Sequence, residues 1–237
     1  MVAPKTLLIA LRDPRDAMCA HERACFAARA DLPLENVHVH SMMSGRPKAD
    51  HLRRYDAVFF GGSGEFSVLD DVDWIRDGMD ACQEVASLGL KAWASCFGFQ
   101  GLALALGAKV INDDDLTEMG STLLSLTPEG RADPVLEPLP DPFWAQEGHH
   151  DHVMTLPPGV TLLATGEQVR LQAFKVNGVP FYASQFHPEL TVDATVARFR
   201  HYQEHYVGGR SEEVLQRLQA GADTPEMGQL LARLVRM

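Results

Sequence analysis

Long apolar runs are missing from this sequence: no stretch reaches the roughly 18 uninterrupted apolar residues that a membrane-spanning helix needs. No membrane role is therefore expected. Cations are also scarce, with 21 Lys and Arg against 32 Asp and Glu in 237 residues and a formal net charge of −11. That balance repels phosphate backbones and anionic surfaces, so nucleic acid is not an expected partner. Cysteine is sparse. Cys19, Cys25, Cys82 and Cys96 show no Cys-x-x-Cys spacing, which argues against a disulfide framework or structural zinc and for a reducing, cytoplasmic setting. The opening "MVAPKTLLIALRDPRD" breaks its apolar run at Arg12 and Asp13 and has no small-residue cleavage site. It reads as a first buried strand rather than a signal peptide. Repeats, low-complexity tracts and long linkers are lacking too. One domain over 1–237 is expected, with a core at about 5–190 and a helical tail at 191–237.

What is present is an ordinary globular composition, 46% hydrophobic and 22% charged, in a pattern of short β-type runs alternating with helical ones. "KTLLIAL", "NVHVH", "DAVFFGG" and "LKAWAS" read as strands. "RDAMCAHERACFAARA" reads as a helix with Met18, Cys19, Cys25 and Phe26 on one face, and "DVDWIRDGMDACQEVASLG" as a helix capped by Asp71 or Asp73. This alternation predicts a mainly parallel sheet covered by helices on both sides. Strand signals and turns then dominate to residue 190, including a hairpin at Asn177-Gly178. An antiparallel extension of the sheet follows from them. Beyond Thr191 the pattern is helical, divided at Gly208-Gly209 and Gly221.

One segment, "ASCFGFQGLALALG", sets a cysteine between a strand and a helix. A lone cysteine is more often core filler than a reagent. A tight strand–helix turn, however, projects a nucleophile off the sheet, Gly98 relieves crowding there, and the helix N-terminus favours a thiolate. Gly107 suits the C′ position. Two further motifs tip the balance toward chemistry. "FGGSGEF" follows a strand and lets Gly62, with Phe97, offer backbone N–H groups to an oxyanion. "ASQFHPEL" ends a later strand with His187 and Glu189 on one side of an extended segment, a base and the carboxylate that orients it. The rival use of "GHHDHV" is a metal site at His149, His150, Asp151 and His152. Adjacent histidines on a strand diverge and no second Cys/His cluster completes a ligand set, so no metal is expected.

"CFGFQ", "GGSG" upstream and "QFHPE" downstream resemble the class I, or triad, glutamine amidotransferases, over roughly Lys5 to Leu190. The resemblance implies a three-layer, flavodoxin-like α/β fold. It also implies hydrolysis of the glutamine side-chain amide, with Cys96 as nucleophile, His187 as base and then acid, and Glu189 as orienting carboxylate. Gly61 and Gln100 would contact the substrate. "EGHHDHV" resembles the Ser-His-x-Asp-x-Val loop of the branch holding GMP synthase amidotransferase domains, which places His149, His150 and Asp151 at the amino-acid end of the substrate. Ser95 before the nucleophile, Gly148 in place of the usual serine and the absence of proline after Gly61-Gly62 depart from the common pattern. No cofactor is implied. In the family the ammonia passes to a synthetase, either a separate subunit or a fused domain, and with no ATP-pyrophosphatase signature following here a separate synthetase subunit is the expected partner. Two other readings remain: a γ-glutamyl peptide or conjugate hydrolase with the same residues, and a non-enzymatic regulatory relative.

Overall fold

The computed structural model describes residues 3–206 and 211–237, and side chains at 3–203 and 212–237. Eleven strands form among them: β1 (Thr6–Ala10), β2 (Val37–Ser41), β3 (Ala57–Phe60), β4 (Lys91–Ser95), β5 (Val110–Asn112), β6 (Glu118–Leu126), β7 (Phe143–His149), β8 (Asp151–Val153), β9 (Val160–Thr165), β10 (Ala173–Val176) and β11 (Phe181–Ser184). The helices are α1 (Met18–Arg29), α2 (Ala49–Leu52), α3 (Asp73–Ser87), α4 (Phe97–Ala105), α5 (Pro128–Ala132), α6 (Val192–Tyr206), α7 (Ser211–Gln219) and α8 (Leu230–Arg236).

Nine strands form one sheet in the order β2-β1-β3-β4-β11-β10-β9-β6-β7. The block β2-β1-β3-β4-β11 is parallel and the remainder antiparallel. The expected parallel sheet with an antiparallel extension is what forms. β5 and β8 make a separate two-stranded ribbon. Alternation along the central strands builds two cores. Leu7, Ile9, Val58 and Phe60 face α3 and α4, while Leu8, Ala57 and Phe59 face α1 and α8. A three-layer α/β sandwich results, its strands buried on both sides as parallel strands must be.

Local chemistry sets most boundaries. Gly107, at φ +89°, closes α4, and Gly178, at φ +80°, turns β10 into β11. Two expectations need correction. The cap of α3 is Val72, with no side-chain hydrogen bond, because Asp71 and Asp73 both pair with Arg76 instead. The buried face of α1 carries Glu22, Phe26 and Ala27, while Met18, Cys19 and Cys25 are only half-buried. A charged residue therefore sits on a face expected to be apolar. The division expected at Gly208-Gly209 lies outside the described residues, and Gly221 ends the segment after α7, where its N–H bonds the Leu218 carbonyl.

Candidate active site

Parallel strands deliver their C-terminal ends to one edge, and ligands of open α/β sheets bind there. β4 ends at Ser95, so Cys96 stands at the turn into α4, its N–H held by the Ser184 carbonyl of neighbouring β11 at 2.8 Å. Its backbone sits at φ 49°, ψ −103°. A non-glycine residue in that region costs on the order of 1–3 kcal/mol and persists only where its surroundings enforce it. Gly98 allows the turn. A Cβ there would meet the Phe60 side chain at 2.8 Å and the Phe60 carbonyl at 3.2 Å. Phe97 opens α4, so its amide has no acceptor within the helix.

β11 leads directly to the second group. His187 and Glu189 are both buried, and Nδ1 of His187 lies 2.7 Å from Glu189 Oε1. Ser95 Oγ donates to Glu189 Oε2 at 3.0 Å, and the Arg198 guanidinium from α6 stands 3.5 Å from Oε1. Burial alone would raise the Glu189 carboxyl. The charge and hydrogen bond of His187, with Arg198 behind, outweigh it and hold the group at about 2. Ser95, a departure from the common motif, thus anchors the carboxylate.

Gly62 relates the two groups. A Cβ built on it would lie 3.0 Å from His187 Cε1, 3.9 Å from His187 Nε2 and 3.9 Å from Cys96 Cβ. Imidazole and cysteine therefore face the same small space. Cys96 Sγ itself turns to the Gly148 carbonyl at 3.8 Å. Burial first, then the charges of Glu147, Glu189 and Asp151, push the thiol well up, against the pull of Arg198. The thiolate expected from the helix terminus is not favoured in this state, because burial and carboxylates outweigh the dipole.

The Gly62 amide also departs from expectation. Its N–H, expected free for an oxyanion, donates to buried Glu22 Oε1 at 3.1 Å, and its carbonyl accepts from Arg12 Nη2 at 2.9 Å. Arg12 in turn bonds Glu22 at 3.0 Å and Tyr202 Oη at 2.6 Å. A carboxylate buried on α1 needs donors, and the glycine loop is one of them. Nothing in the sequence separated Glu22 and Arg12 from surface charges.

Two clefts meet here. The larger, about 250 Å³, is lined by Cys96, Phe97, Gln100 and residues 148–151. Gln100 does not extend freely into it: its amide donates to the Asp151 carbonyl at 2.9 Å and to Gln185 at 3.2 Å. Asp151 is likewise committed, accepting from Ser67 Oγ at 2.7 Å, the Val68 N–H at 3.0 Å and Asn112 at 2.8 Å. Half-buried His150 lies 2.9 Å from Thr117 Oγ1. His149 turns away from His150 into the protein, toward Glu118 and Glu147. Gly61 lies against Glu22, where a Cβ would strike the carboxylate at 2.5 Å. The smaller cavity lies on the His187 side, with an apolar wall of Met119, Leu190, Phe199 and Leu218.

Residues 35–199 match the family model of the class-I glutamine amidotransferases. One subunit of a glutamine-hydrolysing GMP synthase, from Sulfolobus acidocaldarius, is 33% identical over 141 residues, 60% of this chain and 71% of that one. Its counterpart from Ignicoccus hospitalis is 33% identical over 138 residues, 57% and 68% of the two chains. Among solved structures, a glutamine amidotransferase from Thermotoga maritima superposes with a TM-score of 0.72 at 18% identity, covering 99% of this chain and 98% of its own. No helix among the described residues is long and apolar enough to cross a membrane.

Proposed function

The chain belongs to the class I glutamine amidotransferases, and from that premise we propose that it releases ammonia from glutamine through a γ-glutamyl thioester on Cys96. One observation carries the reading. A cysteine held at positive φ on a strand–helix turn and a buried His187–Glu189 pair flank the same glycine. In the proposed reaction a rotation about the Cys96 Cα–Cβ bond brings Sγ from the Gly148 carbonyl to His187. The thiol proton passes to the imidazole as sulfur attacks the γ-carboxamide carbon, so no standing thiolate is required. Glu189 stabilises the imidazolium. The Phe97 amide takes the developing oxyanion, and Gly62 joins it once its N–H leaves Glu22. His187 then protonates the departing nitrogen, and water activated by the same ring hydrolyses the thioester to glutamate. Gln100, His149, His150 and Asp151 shape the amino-acid end of the cleft, largely through backbone, with the Asp151 carbonyl holding the side chains of Gln100 and His149, while Gly61 acts from behind, against Glu22.

The likeness to these GMP synthase subunits supports transfer of the ammonia to a separate synthetase chain. A second reading rests on the smaller cavity. The leaving nitrogen takes its proton from His187, so a substituent on it would lie on that side, against Met119, Leu190, Phe199 and Leu218. An apolar amine there would make the substrate a γ-glutamyl conjugate. Ammonia and amine release from glutamine and from a panel of γ-glutamyl amides separates the two, with Cys96→Ala as control. The first reading expects kcat/KM to be highest for glutamine. A higher value for an apolar γ-glutamyl amide favours the second, and equal turnover by Cys96→Ala removes both.

A further inference from the structure

Glu118 at the start of β6, and Glu147 and His149 at the end of β7, bring three ligand atoms within 4.8 Å of one another in the protein interior. We propose that Glu118, Glu147 and His149 bind one divalent first-row cation, with Zn²⁺ the first to test. His149 Nε2 lies 3.1 Å from Glu118 Oε2 and 3.5 Å from Glu147 Oε2. Ligands of a tetrahedral cation at 2.0–2.2 Å stand about 3.3–3.6 Å apart. Of the observed separations one falls within that range and the other 0.2 Å short of it, and the imidazole with two carboxylates is a donor set zinc accepts.

The partners around these atoms point the same way. Nδ1 of His149 lies 3.1 Å from the Asp151 carbonyl, which can only accept, so Nδ1 carries the hydrogen. In the neutral ring, Nε2 then presents its lone pair to two carboxylates, an arrangement a cation resolves. That Nδ1–carbonyl bond also orients a ligand ring as outer partners do. Gln172 Nε2 braces Glu118 Oε2 at 2.7 Å. Glu147 is 1% exposed, and both its carboxylate oxygens, like Glu118 Oε1, have no hydrogen-bond partner among the described residues. A proton held between a carboxylate and Nε2 would still leave a Glu147 oxygen and Glu118 Oε1 without a partner, whereas a cation at the centre draws on both carboxylates and the imidazole at once. His152 stands edge-on to His149 at 5.1 Å, its Nε2 bonded to the Asp113 carbonyl, and is not one of the three residues whose ligand atoms converge. Glu147 and Gly148 form part of the wall of the smaller cavity, which is the approach for an ion. Histidines alone did not reveal this set, since two of its three members are glutamates on facing strands, with Glu118 registered opposite His149.

The test uses the whole chain, stripped with a chelator and titrated with Zn²⁺, then Mn²⁺, while bound metal and thermal stability are measured. One equivalent is expected, with a rise in Tm. Glu147→Gln, nearly the same shape, should weaken binding by more than the about 10- to 100-fold lost with an outer partner, and Cys96→Ser should leave binding intact. Co²⁺ in place of zinc should give the visible bands of a nitrogen–oxygen site without a thiolate band. Failure of the wild type to hold a stoichiometric ion overturns the proposal. So does binding that survives Glu147→Gln but is lost in Cys96→Ser. Because the readouts are metal content and stability, the outcome is independent of glutamine turnover.

Discussion

Replacing Gly62 by alanine adds one methyl group between His187 and Cys96, and the geometry gives its effect. The new Cβ would stand 3.0 Å from His187 Cε1, against ordinary carbon contacts of about 3.5–4.0 Å. The ring must retreat by a few tenths of an ångström. It is not free to do so, because Nδ1 is tied at 2.7 Å to Glu189, and Ser95 and Arg198 hold that carboxylate in turn. A misplacement of about 1 Å at a reacting group costs about 10²-fold in rate. The backbone of Gly62 lies outside the left-handed region, so alanine adds no strain of its own. A ring shift of under about half an ångström gives an expected fall in kcat of up to about 10-fold, with KM nearly unchanged and Tm lowered by less than about 4 °C, the shift of about 1 kcal/mol at this size. Steady-state ammonia release and a thermal melt on the same preparation read both. Gly61→Ala is the contrast. Its Cβ would strike the buried Glu22 carboxylate at 2.5 Å, so stability should fall first. A Gly62→Ala enzyme with wild-type kcat would refute the placement of His187 beside the reacting atoms.

Glu189 links folding to acid. Its carboxyl is lowered from 4.5 to about 2 by His187 and Arg198 despite burial. The stability it contributes is complete above about 4.5 and is lost as pH falls toward 2, on the order of 3 kcal/mol. Urea unfolding between pH 5 and 2.5 should show a slope that Glu189→Gln flattens, and an unchanged slope would contradict the assignment. Ser95→Ala strips the bond to Glu189 Oε2 and should cost about 1–3 kcal/mol as a buried acceptor loses its donor, together with part of kcat. Equal stability of variant and wild type would count against that bond. Arg12→Met leaves Glu22 buried without its nearest cation and should cost about 3–5 kcal/mol, largely restored in the Arg12→Met/Glu22→Gln double variant. A double variant no more stable than Arg12→Met alone would break that link. Finally, burial and neighbouring carboxylates favour the Cys96 thiol, so alkylation of the free enzyme should keep accelerating through pH 9. A plateau near neutrality would indicate a standing thiolate and refute the proton-transfer order proposed.

Periodicity and turn chemistry were enough to read most of the architecture. The alternating strands around Leu7–Ile9 and Val58–Phe60, the glycine closing α4 and the Asn177-Gly178 hairpin all depend on neighbours a few residues away. The segments that approach Cys96 were legible for the same reason, since each ends a strand in a compact motif. What escaped depends on long-range charge pairing. Glu22 and Arg12 look like ordinary polar positions until β1, α1 and the glycine loop converge, and only then is the Gly62 amide occupied. Glu118 and Glu147 lie 29 positions apart in sequence and meet through the β6–β7 ladder. The Cys96 environment escaped too, because the helix terminus is visible in sequence but the three carboxylates that oppose it are not.

The most direct measurement is intact-protein mass spectrometry on enzyme quenched with acid during glutamine turnover, followed by peptide mapping. A gain of one γ-glutamyl group on the peptide containing Cys96, lost on treatment with hydroxylamine and missing in Cys96→Ala, is the predicted result. Ammonia release without that adduct under single-turnover conditions, or an adduct on another residue, would contradict the account.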